Sequence, residues 1–247
     1  MNIIFNNYNL QQFHKDLSEF DITLSDAQTE QFIKYYEMLI RKNQVMNLTA
    51  ITDFDEVLKK HFVDSLSLVK ACNLDVAEAV ISLIDIGTGA GFPGVPLKIV
   101  FPKLKVTLMD SQSKRIDFLH ELITVLSLDG IDAIHGRAED YAKPNHLREK
   151  YDLCVSRAVA NLSTLSEYCL PYVKVGGEFV SYKSEKVVEE LEKAASAIDI
   201  LGGKIEEQIT FTLPHSDIYR NLVVIKKGKE TPQKYPRKAG TAGKKPL

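Results

Sequence analysis

From Ile81 onward, the apolar positions alternate between short runs of strand length and longer stretches that repeat every three to four residues. Ile81 to Ile86, broken only by Ser82 and Asp85, reads as a buried strand, and Val95 to Phe101 as the helix after it. Leu104 to Asp110 is a second strand. A helix starting at Ser113 follows, with Ile116, Phe118, Leu119, Leu122, Ile123 and Leu126 on it, closed near Gly130. Ile131 to His135 is the third strand and Tyr151 to Val155 the fourth, and a helix from about Asn161 to Leu170 ends before Pro171. Gly176-Gly177 turns into a fifth strand, Glu178 to Tyr182, and Ser184 to Leu201 is a charged amphipathic helix stopped by Gly202-Gly203. Two strands close the series, Lys204 to Leu213 and Asn221 to Lys227, with only a loop between them. The alternation predicts a parallel sheet, and the helix-free closing pair predicts one antiparallel strand. Upstream, residues 10, 13, 17 and 20 form one helical face, and Ser25-Asp26-Ala27-Gln28 fits a capping box for a helix reaching about Asn43. Asp53 is placed to cap another helix through Val57, Leu58 and Phe62. The chain therefore divides into a helical section over 1–75, an α/β domain over 76–228 and a basic end over 229–247.

The turn after the first strand, Gly87-Thr88-Gly89-Ala90-Gly91-Phe92-Pro93-Gly94, holds four glycines within eight residues. Glycine reaches positive φ there and lets a ligand lie against bare backbone. Free N–H groups opening the next helix favour a negatively charged ligand group. Two readings compete. Gly89-x-Gly91-x-x-Gly94 matches the dinucleotide fingerprint, and Asp110, 21 residues after Gly89, stands where a ribose carboxylate is expected. Yet Asp85 lies inside the strand, where a dinucleotide-binding strand is usually apolar. Asp85-x-Gly87-x-Gly89-x-Gly91 resembles motif I of class I S-adenosylmethionine-dependent methyltransferases. That resemblance implies that the glycine turn passes under the methionine part of the cofactor and that Asp110 takes the ribose hydroxyls.

Composition permits one α/β domain with a small appendage: 247 residues, 45% hydrophobic and 26% charged. No apolar run approaches about 18 residues and no signal-peptide core opens the chain, so a cytoplasmic protein without a membrane span is expected. Cys72, Cys154 and Cys169 are far apart and outside any Cys-x-x-Cys or Cys/His cluster, which argues for a reducing compartment and against a metal site. Cys154 and Cys169 read as core residues. His61 and Asp64, one helical turn apart, read as a helix-surface or capping pair before they read as catalytic. Charge is uneven. From Lys226 on, eight basic residues face Glu230 alone, a net +7 that leaves −9 on the other 225 residues. With Pro232, Pro236 and Pro246 in it, this end reads as an extended arm and a candidate polyanion contact, or as a solvated terminus.

A doubly wound sheet of seven strands, six parallel and one antiparallel, is the class I methyltransferase architecture, and its ligand crevice should lie at the carboxyl ends of strands one and four. After the fourth strand stands Val155-Ser156-Arg157-Ala158, without the motifs of base-amine or cytosine-carbon methyltransferases; Cys154, inside the strand, is not placed as a nucleophile.

An ordered set of motifs resembles the glucose-inhibited division protein B family: Asn47-Leu48-Thr49-Ala50-Ile51, His61-Phe62-Val63-Asp64-Ser65-Leu66, the Asp85 to Gly94 turn, Asp110-Ser111 with Lys114-Arg115, Ser156-Arg157-Ala158, and Lys234 to Thr241. The one departure is Ala242, where a proline is expected after the threonine. The resemblance implies transfer of a methyl group from S-adenosylmethionine to N7 of a guanine in 16S ribosomal RNA, free or in the small subunit, with no general base required. It implies Gly87, Gly89, Gly91 and Phe92 at the methionine end of the cofactor, Asp110 at the ribose and Ala138-Glu139 at the adenine. Arg157 would meet the cofactor carboxylate or an RNA phosphate, and Lys183, Lys234, Arg237 and Lys238 would contact RNA. A methyltransferase acting on a small molecule or a protein is the alternative. Because the cofactor residues lie in the α/β domain, removal of 229–247 is expected to leave cofactor affinity unchanged.

Overall fold

The computed structural model of the protein describes residues 4–5, 8–75, 79–157, 160–184 and 187–247. Seven strands form one sheet: β1 Ser82–Ile86, β2 Lys105–Asp110, β3 Ile131–His135, β4 Tyr151–Ser156, β5 Val173–Lys183, β6 Gly203–Thr212 and β7 Tyr219–Lys227. Their order is β3-β2-β1-β4-β5-β7-β6. Only β7 runs antiparallel, paired with β5 on one side and β6 on the other, as the helix-free connection predicted. The order reverses between β1 and β4, at the carboxyl ends of which a doubly wound sheet opens a crevice.

Local signals explain most element ends in the helical section. The face at residues 10, 13, 17 and 20 belongs to α1 (Gln11–Ser18) and its flanks, and all four side chains are buried. Ser25 and Gln28 close a reciprocal capping box on α2 (Asp26–Met46). α2 runs past Asn43 because Asn47 supplies a left-handed C-cap, φ +35°. Asp53 caps α3 (Phe54–Val57) through the Glu56 N–H, and the helix continues as a π-helical stretch, Leu58–Val63, then α4 (Asp64–Leu66).

β1 carries apolar residues toward both faces because both are covered. Leu83 faces a layer built from α5 (Gly94–Val100), α6 (Ser113–Val125) and the N-terminal helices, with Phe32, Tyr35 and Phe62 at its centre. The Gln28 amide donates to the Ile99 carbonyl at 2.8 Å and ties α2 to α5. A short helix, α7 (Ala138–Tyr141), follows β3. Ile84 and Ile86 face the opposite layer of α8 (Leu162–Cys169) and α9 (Val188–Ile200), where Cys154 and Cys169 are fully buried. The helical section thus shares a core with the sheet.

Three expectations about the second half are corrected. Gly176-Gly177 does not start β5 but lies within it. A Cβ on Gly177 would stand 2.6 Å from the Asp152 carbonyl, so the missing side chain lets β5 pass β4 at a shift in their pairing. α9 begins at Val188, not Ser184, with residues 185 and 186 outside the described ones. The proline-rich basic end is no extended arm either: residues 229–247 pack as a strap across the α8 side, burying Thr231, Tyr235 and Ala242 and ending in a short helix, α10 (Thr241–Lys244). Among the described residues no helix is long and apolar enough to cross a membrane.

Candidate active site

At the carboxyl ends of β1, β2 and β4 lies a cleft of about 710 Å³, within the range of small-molecule sites. Its glycine turn is built on Asp85, which does not line the cleft. Asp85 is fully buried beneath the turn, where Oδ2 accepts from the Gly94 N–H at 2.9 Å and from the Thr88 hydroxyl at 2.7 Å. Burial pushes its carboxyl up to about 6, against those hydrogen bonds and the charge of Arg157.

The glycines serve different ends. Gly87, Gly89 and Gly91 all have positive φ. Gly87 and Gly89 line the cleft, and a Cβ on Gly89 would meet nothing within 4 Å. Gly91 faces inward instead: its Cβ would fall 2.7 Å from Val95 and 2.8 Å from the Tyr35 hydroxyl. Gly91 is not among the residues lining the cleft, and its missing side chain makes room for Val95 and Tyr35. Gly94 likewise has Leu108 Cδ2 2.4 Å from its missing Cβ.

Asp110 ends β2 on the cleft wall, 4% exposed. Its carboxylate accepts from the Gly89 N–H at 3.0 Å, the Gln112 N–H at 2.9 Å and Arg115 at 3.2 Å. A carboxylate has roughly four acceptor positions, so one is left for a ligand hydroxyl. Farther along, Arg137, Ala138 and Glu139 form the wall after β3, facing Leu165 and Tyr168 of α8. Glu139 Oε1 accepts from the Gly240 N–H at 2.7 Å, and Gly240 itself lines the cleft.

Phe92, 6% exposed, carries the other end of the site. The His61 ring stacks on it at 4.6 Å and the Arg157 guanidinium lies 5.0 Å from its centroid. Arg157 Nη2 donates to His61 Nδ1 at 3.3 Å and Nη1 to Asp64 Oδ2 at 3.1 Å; the other Asp64 oxygen accepts from Arg220 at 2.8 Å. An acceptor at Nδ1 places the imidazole proton on Nε2, which donates to Thr49 Oγ1 at 2.8 Å. Burial, with Arg157 beside it, pushes His61 down to about 3, so it stays neutral. His61 and Asp64 are not a helix-surface pair: Asp64 is 3% exposed, and the π-helical stretch turns both toward Arg157. Thr49, His61, Tyr168 and Gly240 were missed as cleft residues. Thr49, His61 and Gly240 lay within motifs the sequence displays, but nothing local signals that His61 meets Arg157, 96 residues away, or that Gly240 meets Glu139.

Of the proposed RNA contacts, two are taken up internally. Lys183, its side chain 9% exposed, donates to the Ala160 carbonyl at 2.7 Å and pairs with Glu190 at 2.8 Å. Arg237 makes a bidentate pair with the fully buried carboxylate of Glu167 at 2.9 and 2.6 Å. Lys234 and Lys238 stay exposed on the strap. Ala158, beside Arg157, lies outside the described residues.

The profile of the GidB family, rRNA small subunit methyltransferase G, matches residues 28–219. The chain belongs to this family. A member from Lachnoclostridium phytofermentans, named ribosomal RNA small subunit methyltransferase G, is 54% identical over 235 residues, 95% of this chain and 96% of that one. One of the same name from Exiguobacterium sibiricum is 49% identical over 239 residues, 97% and 99% of the two chains. Among solved structures, a Pyrococcus horikoshii protein provisionally assigned as a transferase superposes with a TM-score of 0.51 at 15% identity, over 66% of this chain and 62% of that one. A Bacillus halodurans protein provisionally assigned as a methyltransferase gives 0.50 at 13%, over 67% and 99%. These two share the fold. As a GidB-family protein, the chain is an S-adenosylmethionine-dependent methyltransferase. The cleft fits that cofactor: glycine backbone facing open space at Gly89, an acid with spare acceptor capacity at Asp110, and an apolar wall of Ile86, Met109 and Leu165.

Proposed function

We propose that the protein methylates N7 of a guanine in 16S ribosomal RNA of the small subunit, using this cleft. The observation that carries the reading is a cofactor-sized cleft with the Gly87–Gly89 turn and Asp110 on one side and Arg157 at its mouth, in a chain whose relatives bear the name of a small-subunit rRNA methyltransferase. Bound S-adenosylmethionine supplies an electrophilic methyl on a positively charged sulfur. Gly87 and Phe92 would border its methionine end, Asp110 its ribose and Ala138-Glu139 its adenine.

The acceptor asks little proton chemistry of the chain. Guanine N7 offers a lone pair and carries no hydrogen, so methyl transfer moves positive charge onto the base and releases no proton. His61 matches that demand: it is neutral, and both ring nitrogens are engaged by Arg157 and Thr49. What residues must supply is alignment, worth up to roughly 7–11 kcal/mol in the best intramolecular cases. Phe92 packs on the His61 ring and buried Tyr35 and supports the Arg157 guanidinium, which would sit beside the transferred methyl. Exposed Lys234 and Lys238 would steer the RNA phosphates.

The reading is tested by incubating the purified protein with methyl-labelled S-adenosylmethionine and small subunits from a strain lacking this gene. Label is expected in 16S RNA and absent from subunit proteins. Label in protein, or in small molecules of an extract in preference to RNA, would favour the alternative acceptor classes.

A further inference from the structure

The strap formed by 229–247 is held by charged groups of the domain, one of them fully buried. Arg148 reaches out of the β3–β4 connection to the carbonyls of Thr231 and Tyr235, the latter at 2.7 Å. Glu149 accepts from the Thr231 N–H at 2.7 Å. Glu167, fully buried, holds the backbone N–H of Arg237 at 2.8 Å as well as its guanidinium. Thr164 donates to the Ala242 carbonyl at 3.2 Å. Between the last two anchors the strap turns at Gly240, φ +80°, and that turn meets the cleft.

There it meets Glu139. This carboxylate is 6% exposed, and among the described residues the Gly240 N–H is its one hydrogen-bond donor and no cation pairs with it. A carboxylate so far buried needs a donor to stay in place. Oε1 ties this side chain to the Gly240 turn, and Ala138, Glu139, Tyr168 and Gly240 line the cleft together. The two anchors flanking Gly240 belong to α8, whose Leu165 and Tyr168 line the same cleft. Strap, α8 and the turn after β3 are thus cross-linked around one part of the cleft wall.

We propose that the strap is a component of the cofactor site: the Gly240 turn sets Glu139 and walls off the adenosine end, so that cofactor affinity depends on a docked strap. The proposal rests on the reading that this cleft takes S-adenosylmethionine. It reverses the expectation from the sequence that the basic end could be removed without effect on the cofactor.

The test keeps the full chain and replaces Gly240 by proline, which has no N–H and cannot adopt φ +80°. Dissociation constants for S-adenosylmethionine and for 5′-methylthioadenosine, which keeps the adenosine half and lacks the amino-acid end, are measured by calorimetry well below the melting temperature of each protein. Gly240→Pro is expected to weaken both ligands by the same factor, at least about tenfold. A chain ending at Gly228 is expected to do the same where it folds. Wild-type binding of S-adenosylmethionine with both ligands retained within about twofold by Gly240→Pro would overturn the proposal. So would a loss confined to S-adenosylmethionine, since that places the effect at the methionine end. No binding by the wild-type chain would overturn the cleft assignment itself, and the proposal with it.

Discussion

Gly89 and Gly94 sit five residues apart in one turn and should fail differently. A methyl on Gly94 meets Leu108 and Asp85 inside the core, so Gly94→Ala should lower stability by about 1–3 kcal/mol. A methyl on Gly89 meets empty cleft, and its φ of +62° costs an alanine only about 1–2 kcal/mol. Gly89→Ala should therefore lose cofactor affinity out of proportion to stability. Calorimetry beside urea melts checks both, and equal affinity losses in the two variants would contradict the division. Asp85 makes a second prediction. Its folded pKa, about 6, lies above its ordinary 3.8, so its contribution to stability is full below pH 4 and is lost as pH rises through about 6. Ionisation at neutral pH thus costs on the order of 3 kcal/mol. Asp85→Asn, which mimics the protonated acid, should be more stable than wild type at pH 8 and lose that advantage at pH 4; no gain at pH 8 in urea titrations would refute it. Spacing made Asp85, the glycines and Asp110 visible in the sequence. Which way each faces was not visible, because Gly91 and Gly94 are turned inward by neighbours, Tyr35 and Leu108, from other elements.

Elements with self-contained signals were legible and those defined by distant partners were not. The Ser25 capping box, the start of α8 near Asn161 and the helix-free β6–β7 connection are local and stand as read. The π-helical stretch over Leu58–Val63 has no local mark; its consequence is that His61 and Asp64 reach Arg157. The strap misled composition most. Its prolines and lysines suit a solvated arm, while the residue that anchors it, Glu167, sits in an apolar helix 70 positions earlier. Arg237 and its neighbours therefore separate. Arg237→Ala strands the buried Glu167 carboxylate and should cost about 2–4 kcal/mol, the low side for a buried pair because the arginine is partly exposed. Lys234→Ala with Lys238→Ala should leave the melt unchanged and flatten the salt dependence of RNA binding, by roughly 0.7–0.9 in slope for each phosphate no longer neutralised. Thermal melts and RNA titrations at several salt concentrations decide this; an unchanged slope would remove the strap from the RNA surface.

The whole molecule is a doubly wound sheet whose switch point between β1 and β4 holds the cleft, with the N-terminal helices delivering His61 and Asp64 at one end and the C-terminal strap delivering Gly240 at the other. Strand periodicity made that sheet readable in advance, including the lone antiparallel strand, since each central strand is apolar on both faces. Site completion by the two chain ends was not readable, because it depends on contacts across about 100 residues. The proposed reaction is methyl transfer to guanine N7 in 16S RNA. A 7-methylguanosine reports that reaction by its own chemistry, because borohydride reduces its positively charged ring, the reduced base is lost, and aniline cuts the strand at the abasic sugar. Undermethylated small subunits treated with the protein and S-adenosylmethionine should gain a single cleavage in 16S RNA at one guanine, absent without the cofactor. Methyl incorporation without any such cleavage would place the methyl on another atom and contradict the proposed reaction.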